Sequence, residues 1–259
     1  DATVSTAYLT ITNDNCPGGA LVLGNHFGVA PGASCFLDLG VVLKLRGALK
    51  AEIEGTLEVN GILGSPVVIT SWADDSIAGD TNKDGPSSGA PGDWIGRYFR
   101  SGSDASYANY FEVRYAGWPF YAAAGITLDQ SDAQLFNCTI RDCAYAGLDL
   151  ASYGGALSRP YVGSCAFVDN GTLAVANASF DAVPSFSFNL ATGNGAGDYL
   201  QINDGSPDAS VEIKPFNCLN GALVLAGPAS VPAGIALTLH PGVVATALRP
   251  YCTKPNPGI

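Results

Sequence analysis

The sequence predicts an all-β chain wound as a parallel β-helix, and three observations carry that expectation. The stretch from Asn15 to Val42 returns without a gap as Asn217 to Val244, so that Asn15, Cys16, Leu21, Val22, Leu23 and Gly32 are each matched by the residue 202 positions later. Phe111, Cys138 and Cys165 are spaced by 27 residues, as are Val113, Ile140 and Phe167, while Gly125-Ile-Thr-Leu and Gly147-Leu-Asp-Leu lie 22 apart. The chain is 47% apolar and only 14% charged, with 32 Gly and 16 Pro, which suits short strands and tight corners better than helices. Units of 20 to 30 residues holding several short strands each describe a coil that stacks on itself.

The same composition excludes several functions. Twelve basic residues against 23 acidic ones give a net charge of −11, which argues against nucleic acid or an anionic membrane as partner. No apolar run approaches the length needed to insert into a bilayer. The chain starts at Asp1 and holds no Met, so a mature, processed form is expected.

In order, residues 1–14 alternate as a strand should, with Val4, Leu9 and Ile11 as apolar members; Leu9 and Ile11 correspond to Val211 and Ile213 upstream of the second copy. Residues 1–45 are read as N-terminal coils. Leu43–Leu45, Ile53, Leu57–Val59 and Val67–Ile69 read as rungs, with inward residues alternating with outward ones. Residues 72–96 are polar and rich in Gly and Pro, and are read as a loop thrown out from one rung. Residues 97–124 are crowded with aromatic side chains and are read as irregular. From Phe111 the period is regular, and Ala116, Cys143, Asn170 and Asn194 fall at matching corners, where an Asn tolerates left-handed backbone and can ladder with its neighbour. Residues 210–247 are the C-terminal copy of the first coils. The whole chain, 1–259, is expected to be one domain of eight to ten coils.

The phrases GDWIGRYFRSGS, FEVRYAG, LFNCTIRDCAYAGLDL, CAFVDNGTLAV and VPAGIALTLHPGVV resemble the repeats of bacterial right-handed parallel β-helix proteins of the secreted and cell-surface type. The resemblance covers nearly the whole chain and implies a right-handed coil on the outside of a bacterium. Its motifs are structural. The family includes lyases, glycosidases, adhesins and passive stalks, so it specifies no activity.

The segment Asp80-Thr-Asn82-Lys-Asp84-Gly85 sets three oxygen side chains at alternate positions before a Gly, as the first half of a calcium loop does. The bidentate Glu of the twelfth position is replaced by Pro91. Asp75 and Asp93, with Asp74, flank the loop, and the Pro86 carbonyl stands at the seventh position. Ca2+ held by Asp75, Asp80, Asn82, Asp84, Pro86 and Asp93 is the expectation, against the plainer reading of a solvated acidic turn.

Seven cysteines in an extracellular chain suggest disulfides. Cys16 with Cys35 and Cys218 with Cys252 are the candidate bridges. Cys138 and Cys165 occupy equivalent positions on stacked strands about 4.8 Å apart, wider than the roughly 3.8 Å that disulfide Cβ atoms prefer, and are expected as buried thiols. Asn137, Asn170 and Asn177 begin formal glycosylation sequons, read as structural. For chemistry, His26 and His240 adjoin no nucleophile signature. Asp142 and Asp169 are equivalent corner residues near Arg141 and Arg159 and form no recognisable acid–base motif. The aromatic cluster from Trp94 to Tyr121 is read as packing beneath the side loop, with a sugar-stacking platform as its rival. The expected function is structural, without catalysis: a subunit or module of a head-to-tail surface fibre, stalk or adhesin that partners with itself and with surface polysaccharide. The alternative is a carbohydrate-active or carbohydrate-binding β-helix.

Overall fold

The computed structural model describes residues 2–5, 7–117, 124–151, 157–203, 205–227 and 229–248. The chain is an all-β parallel solenoid of about nine turns. Turns one to seven each contribute one strand to each of three faces. Turn two, for example, supplies Phe27–Val29 to face 1, Ser34–Asp38 to face 2 and Val42–Leu45 to face 3. Face 1 is a ten-stranded sheet running from Ala2–Val4 to Val244–Ala247, and faces 2 and 3 have seven strands each. All strand pairings in the sheets are parallel and join each turn to the next, so the core is a column of inward side chains.

Alternation in the sequence sets that column. In Ser34–Asp38, Cys35 and Leu37 point inward; in Thr56–Asn60, Leu57 and Val59 do so beneath them in register. The 27-residue spacing is real, because Val113 pairs with Ile140 and Ile140 with Phe167 on face 3. The 22-residue spacing sets Ile126 against Leu148 on face 1.

Corners are made by single residues in left-handed backbone. Between faces 2 and 3 these are Tyr110, Asn137, Ser164 and Phe188, with φ of 45, 51, 54 and 55°. Between faces 3 and 1 they are Tyr115, Asp142 and Asp169, with φ of 59, 54 and 51°, and then Gly193 at 73°. A Cβ at Gly193 would lie 2.0 Å from Asp169 Oδ1, so a larger residue at this last corner would have to displace the Asp169 carboxylate as well as adopt left-handed backbone.

Just past the second set of corners, Ala116, Cys143 and Asn170 repeat one backbone bond, accepting from Ala144, Gly171 and Gly195 of the following turn at 2.8, 2.7 and 2.8 Å. The Asn ladder expected there is present, linking Cys143, Asn170 and Asn194.

Residues 97–124, expected to be irregular, instead hold three regular strands among the described residues: Gly96–Phe99, Tyr107–Asn109 and Phe111–Arg114. The aromatic crowding there hides an ordinary alternation. Phe99, Phe111 and Val113 fill the core, while Tyr107 stays outside and packs on Phe136 with ring centroids 5.4 Å apart. Trp94, with its indole N–H donating to Arg114 O at 2.7 Å, returns the side loop to the core. Trp118, Phe120 and Tyr121 lie outside the described residues.

The two copies of the repeated stretch fold on the same internal registers. Leu9 pairs with Cys35 and Val211 with Leu237; Leu21 pairs with Leu43 and Leu223 with Ala245. Each copy places a 3-10 turn at the same point, Asn13–Asn15 and Pro215–Asn217. They are nevertheless seated differently. Leu21–Leu23 belongs to face 3, whereas Ala222–Leu225 belongs to face 1. Among the described residues the face 1 strand Phe27–Val29 has no counterpart in the second copy, where Ala229 replaces the inward Phe27 ring and Pro232 replaces Ala30. Without that strand the second copy docks one face round the column.

Candidate metal centre

The side loop leaves face 3 after Val67–Ser71 and re-enters at Trp94. It folds back against the solenoid. Ile77 and Ala78 cover Ala20, Val42 and Val68, the outward apolar residues of face 3. Gly92 N–H and Asp93 N–H donate to Tyr115 O at 3.1 and 3.0 Å, and Ser87 Oγ donates to Ala73 O at 2.9 Å.

Within this frame one carboxylate oxygen from each of Asp75, Asp80 and Asp84 comes within 4.8 Å of the others. Asp80 sits at the base of the turn, with Oδ1 accepting from Lys83 N–H at 2.5 Å and Oδ2 from Gly85 N–H at 3.1 Å. Lys83 and Gly85 adopt φ of 61 and 90°, which curls the backbone around that carboxylate. Asn82 Nδ2 donates to Asp84 Oδ2 at 2.8 Å. Asp75 Oδ2 accepts from Ser87 N–H at 2.8 Å, while its Oδ1 is buried and has no hydrogen-bond partner among the described residues.

Three carboxylates at this separation repel unless a cation stands among them. Lys44 is near enough to feel Asp74, Asp75 and Asp80. Its ammonium is fully buried, donates to Gly79 O at 2.8 Å, and has its pKa lowered by burial against the pull of those three acids. One ammonium does not balance the set. An all-oxygen donor group with a buried, unpartnered carboxylate oxygen fits a hard divalent cation, and Asp75, Asp80 and Asp84 are the residues that could hold it.

The other expected ligands stand differently. Asp93 is outside the three-carboxylate cluster; its Oδ2 accepts from Ser71 Oγ at 2.6 Å and from Ala90 N–H at 2.9 Å. Asp74 is buried beneath the loop, bound to Thr70 Oγ1, Ser76 Oγ and Arg114. Burial works against its ionisation, but the hydrogen bonds from Ser76 and Thr70 and the Arg114 charge outweigh it and hold its pKa below the usual value. Pro86 is exposed at the loop tip. A hollow of about 450 Å3 lined by Arg46, Trp72, Asn82, Asp84 and Asp93 opens beside the cluster, with the Arg46 guanidinium 4.9 Å from the Trp72 ring centroid. Lys44 went unremarked in the sequence, although a lone Lys in the run Val42-Leu43-Lys44-Leu45 is forced outward by the alternation and faces the loop.

Elsewhere the thiols overturn one expectation. Cys16 and Cys35 are both free and buried. Cys35 points into the core from the Ser34–Asp38 strand, whereas Cys16 lies in the corner after the 3-10 turn with its Sγ directed at Thr12 O, 3.6 Å away. Cys218 repeats the Cys16 contact with Lys214 O at 3.8 Å and is also free; Cys252 lies outside the described residues. Cys138 and Cys165 are free core thiols, as their spacing implied.

The remaining candidates form structural contacts. Asn170 is 1% exposed and committed to the ladder, so it offers no glycosylation site in the folded chain. Asn137 and Asn177 donate to Asn109 and Asp149. Asp142 pairs with Arg141, which also binds Glu112, and Asp169 lies against Gly193. Arg159 binds Asp208 and Asp181. His26 Nδ1 accepts from Lys50 N–H, and His240 faces Glu212. Comparison with protein-family models, with curated proteins and with solved structures finds no match to this chain.

Proposed function

We propose that this chain is a structural element of an extracellular, bacterial cell-surface assembly, one unit of a head-to-tail fibre, stalk or adhesin, with a Ca2+-ordered side loop. The observation that carries this is the seating of the second copy. The same sequence unit that begins the column is stacked on turn eight, where Ala222–Leu225 pairs with Gly197–Ile202, and this stacking within the chain supports the reading that such a unit can follow a preceding turn. Both ends of the described column offer apolar surface for such stacking. At the first turn a hollow of about 300 Å3 is lined by Val4, Leu9, Ile11, Leu21, Leu23 and Phe27. At the last, Leu239, Val244 and Leu248 are exposed. Edge strands with open backbone and apolar side chains recruit further strands, and a contact between unlike ends propagates instead of closing.

The test is particle length. Electron microscopy of the isolated chain under oxidising conditions should show fibres whose axial repeat is one subunit, and removing residues 245–259 should shorten or abolish them. A chain that stays monomeric at high concentration refutes self-assembly. A longer protein carrying several copies of the unit as one rigid rod supports the module form.

A second reading, carbohydrate binding, is favoured by one feature. Tyr161 stacks on Phe136 at 4.9 Å on face 2, and Phe188 stacks on Phe216 at 5.2 Å nearby, with Phe188 69% exposed. Sugar rings pack on such surfaces. Glycan-array binding lost in Phe188→Ala would support it, and an array without signal would remove it.

A further inference from the structure

We propose that the core of the solenoid contains an anion site at Arg97, holding one small monovalent inorganic anion of the halide class. Arg97 lies in the Gly96–Phe99 strand, whose alternation turns Arg97 and Phe99 toward the core and Tyr98 outward. In register it occupies one inward row with Phe27, Ala51 and Ile126 on successive turns. Ala51 contributes only a methyl group to that row, and the long Arg97 side chain lies across the space it leaves. Its guanidinium carbon is 5.9 Å from the Phe27 ring centroid two turns away, 5.9 Å from that of Phe99 and 5.0 Å from that of Phe111.

Arg97 has no exposed surface, and its Nε, Nη1 and Nη2 have no hydrogen-bond partner among the described residues. A buried guanidinium requires both acceptors and counter-charge. The three rings attract the cation through their faces but accept none of its N–H bonds in full. Burial drives its pKa down to about 9, with Cys35 the one group acting against that shift. Cys35 is no counter-ion, because burial lifts its own pKa to about 11 despite the nearby Arg97, leaving a neutral thiol at physiological pH. The acid on the adjoining strand, Glu52, points to the outer side of face 1, where Lys50 and Arg100 bind it. Alternation thus keeps that carboxylate out of the core.

What remains is an anion from solution, enclosed as the turns wind. Because Arg97 has no exposed surface, only a small anion is a candidate. A weakly hydrated halide gives up its water at the least cost and offers acceptor capacity to several N–H groups at once.

The chain should be refolded from denaturant in bromide and crystallised. The expected result is an anomalous bromide peak within hydrogen-bond distance of Arg97. Refolding in chloride or bromide should raise the melting temperature by about 2–4 °C over refolding in gluconate at equal ionic strength. Arg97→Met should melt cooperatively and show neither the peak nor the halide dependence. A halide-independent melt with only water beside Arg97, or a peak that persists in Arg97→Met, overturns the proposal. Should Arg97→Met fail to fold, the bromide peak in the parent protein decides the matter alone.

Discussion

Asn194 Oδ1 accepts two hydrogen bonds from Asn170 one turn away, from its backbone N–H at 3.1 Å and from its Nδ2 at 2.9 Å. Asn170 in turn accepts from Cys143 N–H at 3.2 Å and donates to Ile140 O at 3.1 Å. Each side chain therefore satisfies backbone groups that a one-residue corner leaves behind. Asn170→Ala strands the Cys143 N–H, takes the side-chain donor from the Ile140 carbonyl, and leaves Asn194 Oδ1 with the Asn170 backbone N–H alone. It should cost about 3 kcal/mol or more, measured by urea unfolding, since each buried group left unpaired costs roughly 1–3 kcal/mol. Asn137→Ala, at a part-buried corner with one side-chain bond to Asn109, should cost less than half as much. Equal losses would show that the three ladder bonds of Asn170 contribute no more than the single side-chain bond of Asn137.

The thiols should be silent in the native state. Burial raises the pKa of Cys143 to about 12 and that of Cys218 to about 11, and it also raises that of Cys138. At pH 8 an alkylating reagent should label none of Cys16, Cys35, Cys138, Cys143, Cys165 or Cys218 until denaturant is added. Cys138→Ala should be less damaging than Cys138→Ser, which introduces a hydroxyl at a cost of about 1–3 kcal/mol. Rapid native labelling of Cys138 would contradict its burial.

Metal binding should appear as loop order. With calcium present, the melting temperature should rise by mass action, and residues 74–93 should resist protease; a chelator should reverse both. Asp80→Ala with Asp84→Ala should remove the chelator response. Asp93→Ala should retain it, because Asp93 is tied to Ser71 and Ala90 outside the three-carboxylate cluster. A melting curve indifferent to chelator would leave the cluster a plain acidic turn.

Two carboxyls should shift stability with pH in opposite senses. Asp149 is pushed up by burial and by Asp129, against the hydrogen bond from Asn177. Its folded form favours the proton, so its contribution to stability is present at low pH and lost as pH rises through the raised pKa. Asp149→Asn should therefore be more stable than the parent at pH 7, with the gap closing in acid. Burial also opposes ionisation of Glu112, but hydrogen bonds from Arg114 and Arg141 outweigh it and hold the pKa down. That contribution is present above the unfolded value and lost as pH falls through the lowered one, so Glu112→Gln should be less stable at pH 7 and converge with the parent in acid. Urea unfolding at pH 7 and at pH 3 checks both signs.

The period, the corners and the side loop were legible because they are matters of spacing. Val113, Ile140 and Phe167 announce their register by identity of interval, and a Gly- and Pro-rich run between two rungs can only be an excursion. Arg97 was not legible as a core residue, although its alternation with Phe99 in the Gly96–Phe99 strand contained the signal. A charged side chain reads as outward by default, and the crowd of aromatics around it reads as irregularity. The three-carboxylate cluster was half legible. Asp80 and Asp84 follow from spacing along the chain, whereas the separation of Asp75 from Asp93 depends on where Ser87 and Ser71 draw them. The Cys16–Cys35 expectation failed because nearness in sequence says nothing of which side of a corner each residue occupies.

The one-face offset between the two copies has a geometric consequence. In the first copy the strand Val42–Leu45 lies on face 3, and the side loop later springs from that face; in the second copy the equivalent strand, Val244–Ala247, lies on face 1. Were a chain to continue from the second copy as it does from the first, its next side loop would emerge one face further round the axis. On a three-faced column, three successive modules would bring the loop back to its starting azimuth. A rod assembled this way would carry its acidic loops along a spiral and present them to every side, although each module is asymmetric.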